Sequence, residues 1–207
     1  MQSNYEIRKK ARETLGGGIF KNEWLYAMVI CLCEAAIIGI LSATMFGAFI
    51  LSGILTCAVA YYFVNRVRGR VAYDGLSTVI DGAKADPVGS IITGILVSVF
   101  TALWTLLFII PGIVKACAYS MAFYVKNDRP ELSAKEAIDE SQRLMDGFKM
   151  KFFILQLSFI GWYILGALCF GVGILWVNAY TQAANAHFYE QVLAAKTYIV
   201  TDYVVGE

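Results

Sequence analysis

Between Trp24 and Val64 the only side chain carrying a full charge at neutral pH is Glu34. An apolar run of that length is about twice the roughly 20 residues that cross the hydrocarbon core of a bilayer. Similar runs return at Ile91 to Ile110, Phe152 to Phe170 and Ile174 to Ala186. Lipid offers no partner to an open strand edge, so a chain built of such runs crosses as helices. Composition agrees, with 58% hydrophobic and 16% charged residues and a mean hydropathy of +0.61. The expected fold is all-α: a polytopic transmembrane helical bundle of about six spans in three hairpins, flanked by an N-terminal and a cytoplasmic amphipathic helix.

The punctuation between runs sets the hairpins. Ser3 to Leu15 holds Arg8, Lys9, Lys10 and Arg12 with Ile7, Ala11 and Leu15 on another face. It reads either as a short helix on an anionic membrane surface or as a solvated basic leader. It does not read as a cleaved signal, because its apolar run is of full span length and is followed at once by another. Gly16, Gly17 and Gly18 then break the helix. The first hairpin turns near Thr44 to Gly47 and leaves the membrane at Arg66, Arg68 and Arg70. A polar stretch through Asp81, Lys84, Asp86 and Pro87 holds one short helix. The third span, Gly89 to Ile110, meets Pro111 and Gly112, and a proline inside a helix removes a backbone donor. Ile113 to Val125 is either a short return arm, the far half of a kinked helix, or a re-entrant segment.

Ser133 followed by Glu136 forms a capping box. Behind it Ala137, Ile138, Ser141, Leu144, Met145 and Phe148 share one face. An amphipathic cytoplasmic helix is therefore expected over Ser133 to Phe148, packed on the bundle or on the bilayer. The last hairpin turns near Gly171 to Gly173 and its final span ends near Glu190. The chain is read as one transmembrane domain over 1–192 with a short cytoplasmic tail over 193–207. Lysine and arginine fall on one side of this arrangement, except Lys115 near the outer turn, so the positive-inside rule puts both termini in the cytoplasm.

Few groups carry candidate chemistry. Glu34 sits mid-span, where a charge is costly. It either binds a proton or cation and pairs with Lys115 or His187, or stays neutral and glues helices together. Asn178, Gln182, Asn185 and Tyr189 form one stripe on the final span, which Gln156 and Ser158 on the fifth can answer. The stripe either hydrogen-bonds between helices or lines a path, and Ala179 and Ala183 beside it favour close packing. Lys149 and Lys151 make a basic junction at the foot of the fifth span.

The five cysteines, Cys31, Cys33, Cys57, Cys117 and Cys169, lie in apolar stretches without a Cys-x-x-Cys pair, and His187 is the only histidine. No metal site, cofactor or catalytic constellation is expected from such a set. A net charge of +1 gives no whole-chain attraction to nucleic acid.

Phe108-Ile-Ile-Pro-Gly-Ile113, Ala118-Tyr-Ser-Met-Ala122, Leu144-Met-Asp-Gly-Phe-Lys149, Leu157-Ser-Phe-Ile-Gly-Trp162 and the pair Phe188-Tyr189 follow one another as in a bacterial integral membrane family, domain of unknown function 975. The chain resembles that family from about Trp104 to Tyr189. The Ile-Pro-Gly-Ile segment is also similar, more distantly, to the membrane domain of some glycerophosphodiester phosphodiesterases. The resemblance implies a multi-pass protein of the bacterial plasma membrane and no catalytic residues. Three functions are compatible with these readings. The first is a non-enzymatic membrane module that binds lipids or a membrane partner through the cytoplasmic amphipathic helix and the basic junction of Lys149 and Lys151. The second is a small transporter or channel subunit, acting as a homo-oligomer, with Glu34 and the Asn178 stripe on its path. The third is an accessory or immunity protein of a peptide exporter.

Overall fold

A computed structural model describes residues 3–15, 22–41, 45–70, 75–107, 109–168 and 172–205. These residues form α1 (Asn4–Thr14), α2 (Asn22–Leu41), α3 (Met45–Val67), α4 (Gly75–Ala85), α5 (Pro87–Leu107), α6 (Ile109–Tyr119), α7 (Ala122–Asp128), α8 (Ala134–Leu144), α9 (Lys149–Leu168) and α10 (Val172–Val205). The fold is all-α, with no strand among the described residues. The expected breaks at Gly16 to Gly18 and at Thr44, and the start of the turn at Gly171, lie outside the described residues.

Two helical pairs make the centre. α2 packs on α3, α9 packs on α10, and α10 leans on both members of the first pair. Alanine makes this close approach possible: Ala179, Ala183, Ala184 and Ala186 of α10 are fully buried, so backbones meet without intervening side chains. Aromatic rings fill the remaining space. Phe152 meets Phe188 at 5.2 Å between centroids, and Phe159 meets Tyr180 edge-on at 5.1 Å. Where α9 turns into α10, a Cβ placed on Gly166 would come within 2.9 Å of the Gly173 backbone.

α5 to α8 form the other half. A Cβ on Gly112 would stand 2.7 Å from Thr105 Cα, so α5 and α6 meet backbone to backbone as a hairpin. Pro111 lies in the first turn of α6, where no intrahelical donor is needed. The run after Pro111 therefore folds back along α5 and does not continue it as one kinked helix. The arm is longer than the expected Ile113 to Val125, since α6 begins at Ile109 and α7 continues to Asp128 after a break at Ser120 and Met121.

The two amphipathic helices form, and both spend their apolar faces on protein. Capping boxes start α1 at Ser3 with Glu6 and α8 at Ser133 with Glu136. Ile7, Ala11 and Leu15 are fully buried against the bundle, where α1 lies on α10 and touches α9. This departs from the surface-bound and solvated readings of that segment, because α10 offers a dry partner to the face that lipid would otherwise cover. α8 lies on α5, α6 and α7, and the buried Ser141 hydroxyl donates to the Ala118 carbonyl at 2.7 Å. α8 stops at Leu144, short of Phe148, and Gly147 turns the chain with φ of +82°. At the other end, α10 runs past Glu190 to Val205.

By length and apolarity, two helices among the described residues can cross a membrane, α5 over Pro87–Thr105 and α9 over Lys149–Leu168. In α2 the apolar stretch is the shorter Trp24–Ile37. The outer faces carry many apolar side chains: Leu25, Val29 and Leu32 on α2, Val99 and Leu103 on α5, and Ile164 and Leu165 on α9 all stand exposed. Soluble monomers rarely present continuous apolar surface of this kind.

Candidate functional site

The polar groups gather where α3 and α7 end beside α8 and the middle of α10. α3 closes on a Schellman motif, with the Arg70 amide on the Asn65 carbonyl, the Gly69 amide on the Arg66 carbonyl, and Gly69 at φ of +69°. That stop leaves Arg68 at the helix end. Its two terminal nitrogens each donate to Asp128 at 2.7 Å, and Nε donates to Glu190 at 2.8 Å. The Tyr189 hydroxyl donates to the same Asp128 carboxylate at 2.9 Å. Asp128, the strongest partner, and Glu190 raise the Arg68 guanidinium further above its ordinary value. A cavity of about 430 Å³ opens beside the cluster, walled by Asn65, Asn127, Arg129, Glu140 and Leu144. Its charges are largely paired, since Arg129 meets Glu140 at 3.5 Å.

Two residues before Asp128, Lys126 is 4% exposed and uses every donor it has. Nζ reaches Asp86 at 2.6 Å and the carbonyls of Pro130 and Leu132 at 2.8 and 2.6 Å. The Lys126 hydrogen bond holds the Asp86 carboxyl below the usual carboxylate range. Asp86 also caps α5 by accepting from the Gly89 amide at 2.8 Å, ahead of Pro87 in the favoured first helical position. Between them Asn127 donates to the Cys57 carbonyl at 2.9 Å and accepts from the Cys57 thiol at 2.9 Å. Three consecutive side chains thus tie α7 to α3, α10, the start of α5 and the loop before α8.

At the foot of α9 the charge is less balanced. Lys151 and Lys196 each stand 5.8 Å from the centre of the Phe148 ring. Lys149 follows Phe148 directly, and its nearest acid is the exposed Asp146 at 3.4 Å. Such i,i+3 surface pairs hold little, about 0 to 1 kcal/mol, so this junction can attract anions.

The remaining candidates from the sequence fall apart into separate contacts. Gln156 donates to Asn185 at 2.6 Å, which joins α9 to α10 as the stripe suggested. Asn178 and Gln182 are half-buried on the same helix and take no part in that bond. Glu34 is half-buried on α2 and pairs with neither expected partner. His187 is held by Thr14 at 2.7 Å. Lys115, in α6, has partners of its own. It donates to Gln142 of α8 at 3.0 Å and lies over the rings of Trp104 and Tyr119, because α8 folds back along α6 and brings a polar face to it. Sequence reasoning missed Asp86, Lys126 and Asp128. Their signal was the charged break Lys126-Asn127-Asp128-Arg129 directly after an apolar arm.

Among the described residues no three His, Cys, Asp or Glu side chains converge to hold a metal. The geometry defines an all-helical protein with two apolar helices of bilayer length among the described residues. Residues 106–196 match the model of the family described as protein of unknown function (DUF975). Neither the curated proteins nor the solved structures contain a match, and the more distant likeness to glycerophosphodiester phosphodiesterase membrane domains gains no support.

Proposed function

We propose that the protein is a non-enzymatic integral membrane module that binds anionic lipid or a membrane partner at the junction of Lys149 and Lys151. In this reading α2, α3, α5, α6 with α7, α9 and α10 are the six spans of a bacterial plasma membrane protein. Both termini, α4 and α8 lie on the cytoplasmic side. The observation that carries the reading is the pair Lys151 and Lys196 over the Phe148 ring, with Lys149 next in the chain, at the end of an apolar helix of bilayer length. The exposed apolar faces of α2, α5 and α9 support the membrane placement.

Each lysine near an anionic surface contributes about 1 kcal/mol, so removing two weakens binding roughly 30-fold. Native mass spectrometry of the detergent-solubilised protein with phosphatidylglycerol tests this. Lys149→Ala with Lys151→Ala is expected to lose most of the bound lipid. Retention equal to that of the unaltered protein overturns the reading.

A further inference from the structure

Directly beside Lys149 the surface opens into a groove between α6 and α9. Its volume is about 370 Å³, and its walls are Ile113, Val114, Cys117, Met150 and Phe153, with Lys149 the one charged side chain among them. Ile113 and Val114 are 43% and 45% exposed and Met150 is 67% exposed, so the groove opens sideways from the bundle. The apolar surface does not end there. Ile154, Leu157 and Ile160 stand exposed in turn along α9, at the three- and four-residue steps that keep them near one face. From Met150 to Ile160 this stripe rises about 15 Å, half the thickness of a bilayer's hydrocarbon core.

We infer that this groove is a binding site for one anionic phospholipid, with the headgroup phosphate on Lys149 and one acyl chain lying along Val114, Met150 and Phe153 and on up α9. The inference rests on the membrane reading above and deepens it. A single cation at one end of an apolar slot matches the charge pattern of one lipid molecule. A partner helix would need a longer face and would gain nothing from a charge at one end. The pair of Lys149 with exposed Asp146 at 3.4 Å is weak enough for a phosphate to replace. Packing against the walls adds no hydrophobic gain over bulk lipid, so the lysine supplies the selectivity and the groove supplies the register of the chain.

Filling the groove separates this site from simple attraction at the basic junction. Native mass spectrometry would compare phosphatidylglycerol with phosphatidylcholine on the full protein, on Lys149→Ala, and on Val114→Trp, which projects into the groove from an already exposed position. Lys149→Ala is expected to lose phosphatidylglycerol roughly fivefold, the scale of one lysine's contribution; Val114→Trp is expected to lose it because the chain's seat is filled, and phosphatidylcholine is expected to bind weakly throughout. Inorganic phosphate at millimolar concentration is expected not to displace the lipid. Ile113→Trp serves as the second groove variant if Val114→Trp lowers the melting temperature.

If the tryptophan variants hold phosphatidylglycerol fully while Lys149→Ala loses it, the acyl-chain slot is overturned and the junction reading stands. Equal binding of the two lipids, or displacement by phosphate alone, also overturns the slot. Full retention by Lys149→Ala with Lys151→Ala overturns both.

Discussion

Arg68 at the end of α3 and Asp128 at the end of α7 meet through two parallel hydrogen bonds of 2.7 Å, across 60 positions of sequence. The fork geometry is that of a bidentate guanidinium and carboxylate, which fixes orientation as well as distance. Because Glu190 takes the remaining Nε at 2.8 Å, the same guanidinium also ties in α10. Two helix ends and the middle of α10 are thereby held by one side chain.

Asp128→Ala removes the stronger anchor and leaves Arg68 with Glu190 alone. Breaking a fully buried pair costs roughly 3 to 5 kcal/mol. Both partners here are about one-fifth exposed, so a loss of about 2 kcal/mol is expected. Chemical denaturation in detergent measures it, and Asp128→Asn, which keeps one acceptor, is expected to lose less.

The Asp86 carboxylate makes stability depend on acid. Its folded value lies below the ordinary 3.8, so the ion pair with Lys126 contributes in full above that value. The contribution is lost as pH falls through the folded value. Melting temperature measured from pH 6 to pH 3 is expected to drop toward the acid end, with a shallower drop in Asp86→Asn, which already lacks the charge.

α3 and α5 cross at glycines. A Cβ on Gly53 would come within 2.6 Å of the Ser90 carbonyl oxygen, and one on Gly94 within 2.8 Å of Gly53 Cα. Backbone cannot yield as a side chain can, so Gly94→Ala must push the helices apart. A loss of about 1 to 3 kcal/mol is expected, read as a lowered unfolding midpoint.

Gln156 and Asn185 are expected to behave as a helix-pairing contact. A double-mutant cycle with Gln156→Leu and Asn185→Leu is expected to give a coupling of about 0.6 kcal/mol, with about 1.7 as a ceiling. Under the same reading Glu34→Gln leaves ion flux in proteoliposomes at the level of the unaltered protein. A flux that falls with Glu34→Gln would return the polar path to consideration.

Local signals in the sequence were reliable where the physics is local. Ser133 and Glu136 are three positions apart, so a capping box is visible from residue types alone, and the burial of Ala137, Ile138 and Ser141 follows from helical spacing. Ala179 and Ala183 likewise announced a close helix contact. Pro111 was ambiguous because its effect depends on whether it sits in a first turn or an interior, which the flanking isoleucines do not reveal. Lys126 and Asp86 lie 40 positions apart and Arg68 and Glu190 lie 122 apart. No periodicity links such pairs, and only the assembled bundle brings them together. Gln142, which Lys115 meets, likewise belongs to a helix whose docking side the pattern left open.

The apolar side of α1 has a consequence for the order in which the molecule comes together. Thr14 and His187 touch at 2.7 Å across 173 positions, and Tyr180 donates to the Arg8 carbonyl at 3.1 Å. On the ribosome α1 is made early and its docking surface on α10 is made late. Through most of synthesis Ile7, Ala11 and Leu15 have no permanent seat, and the nascent chain must keep them in a temporary one. The docking of α1 is therefore a completion step: it takes place only on chains whose final helix has been made.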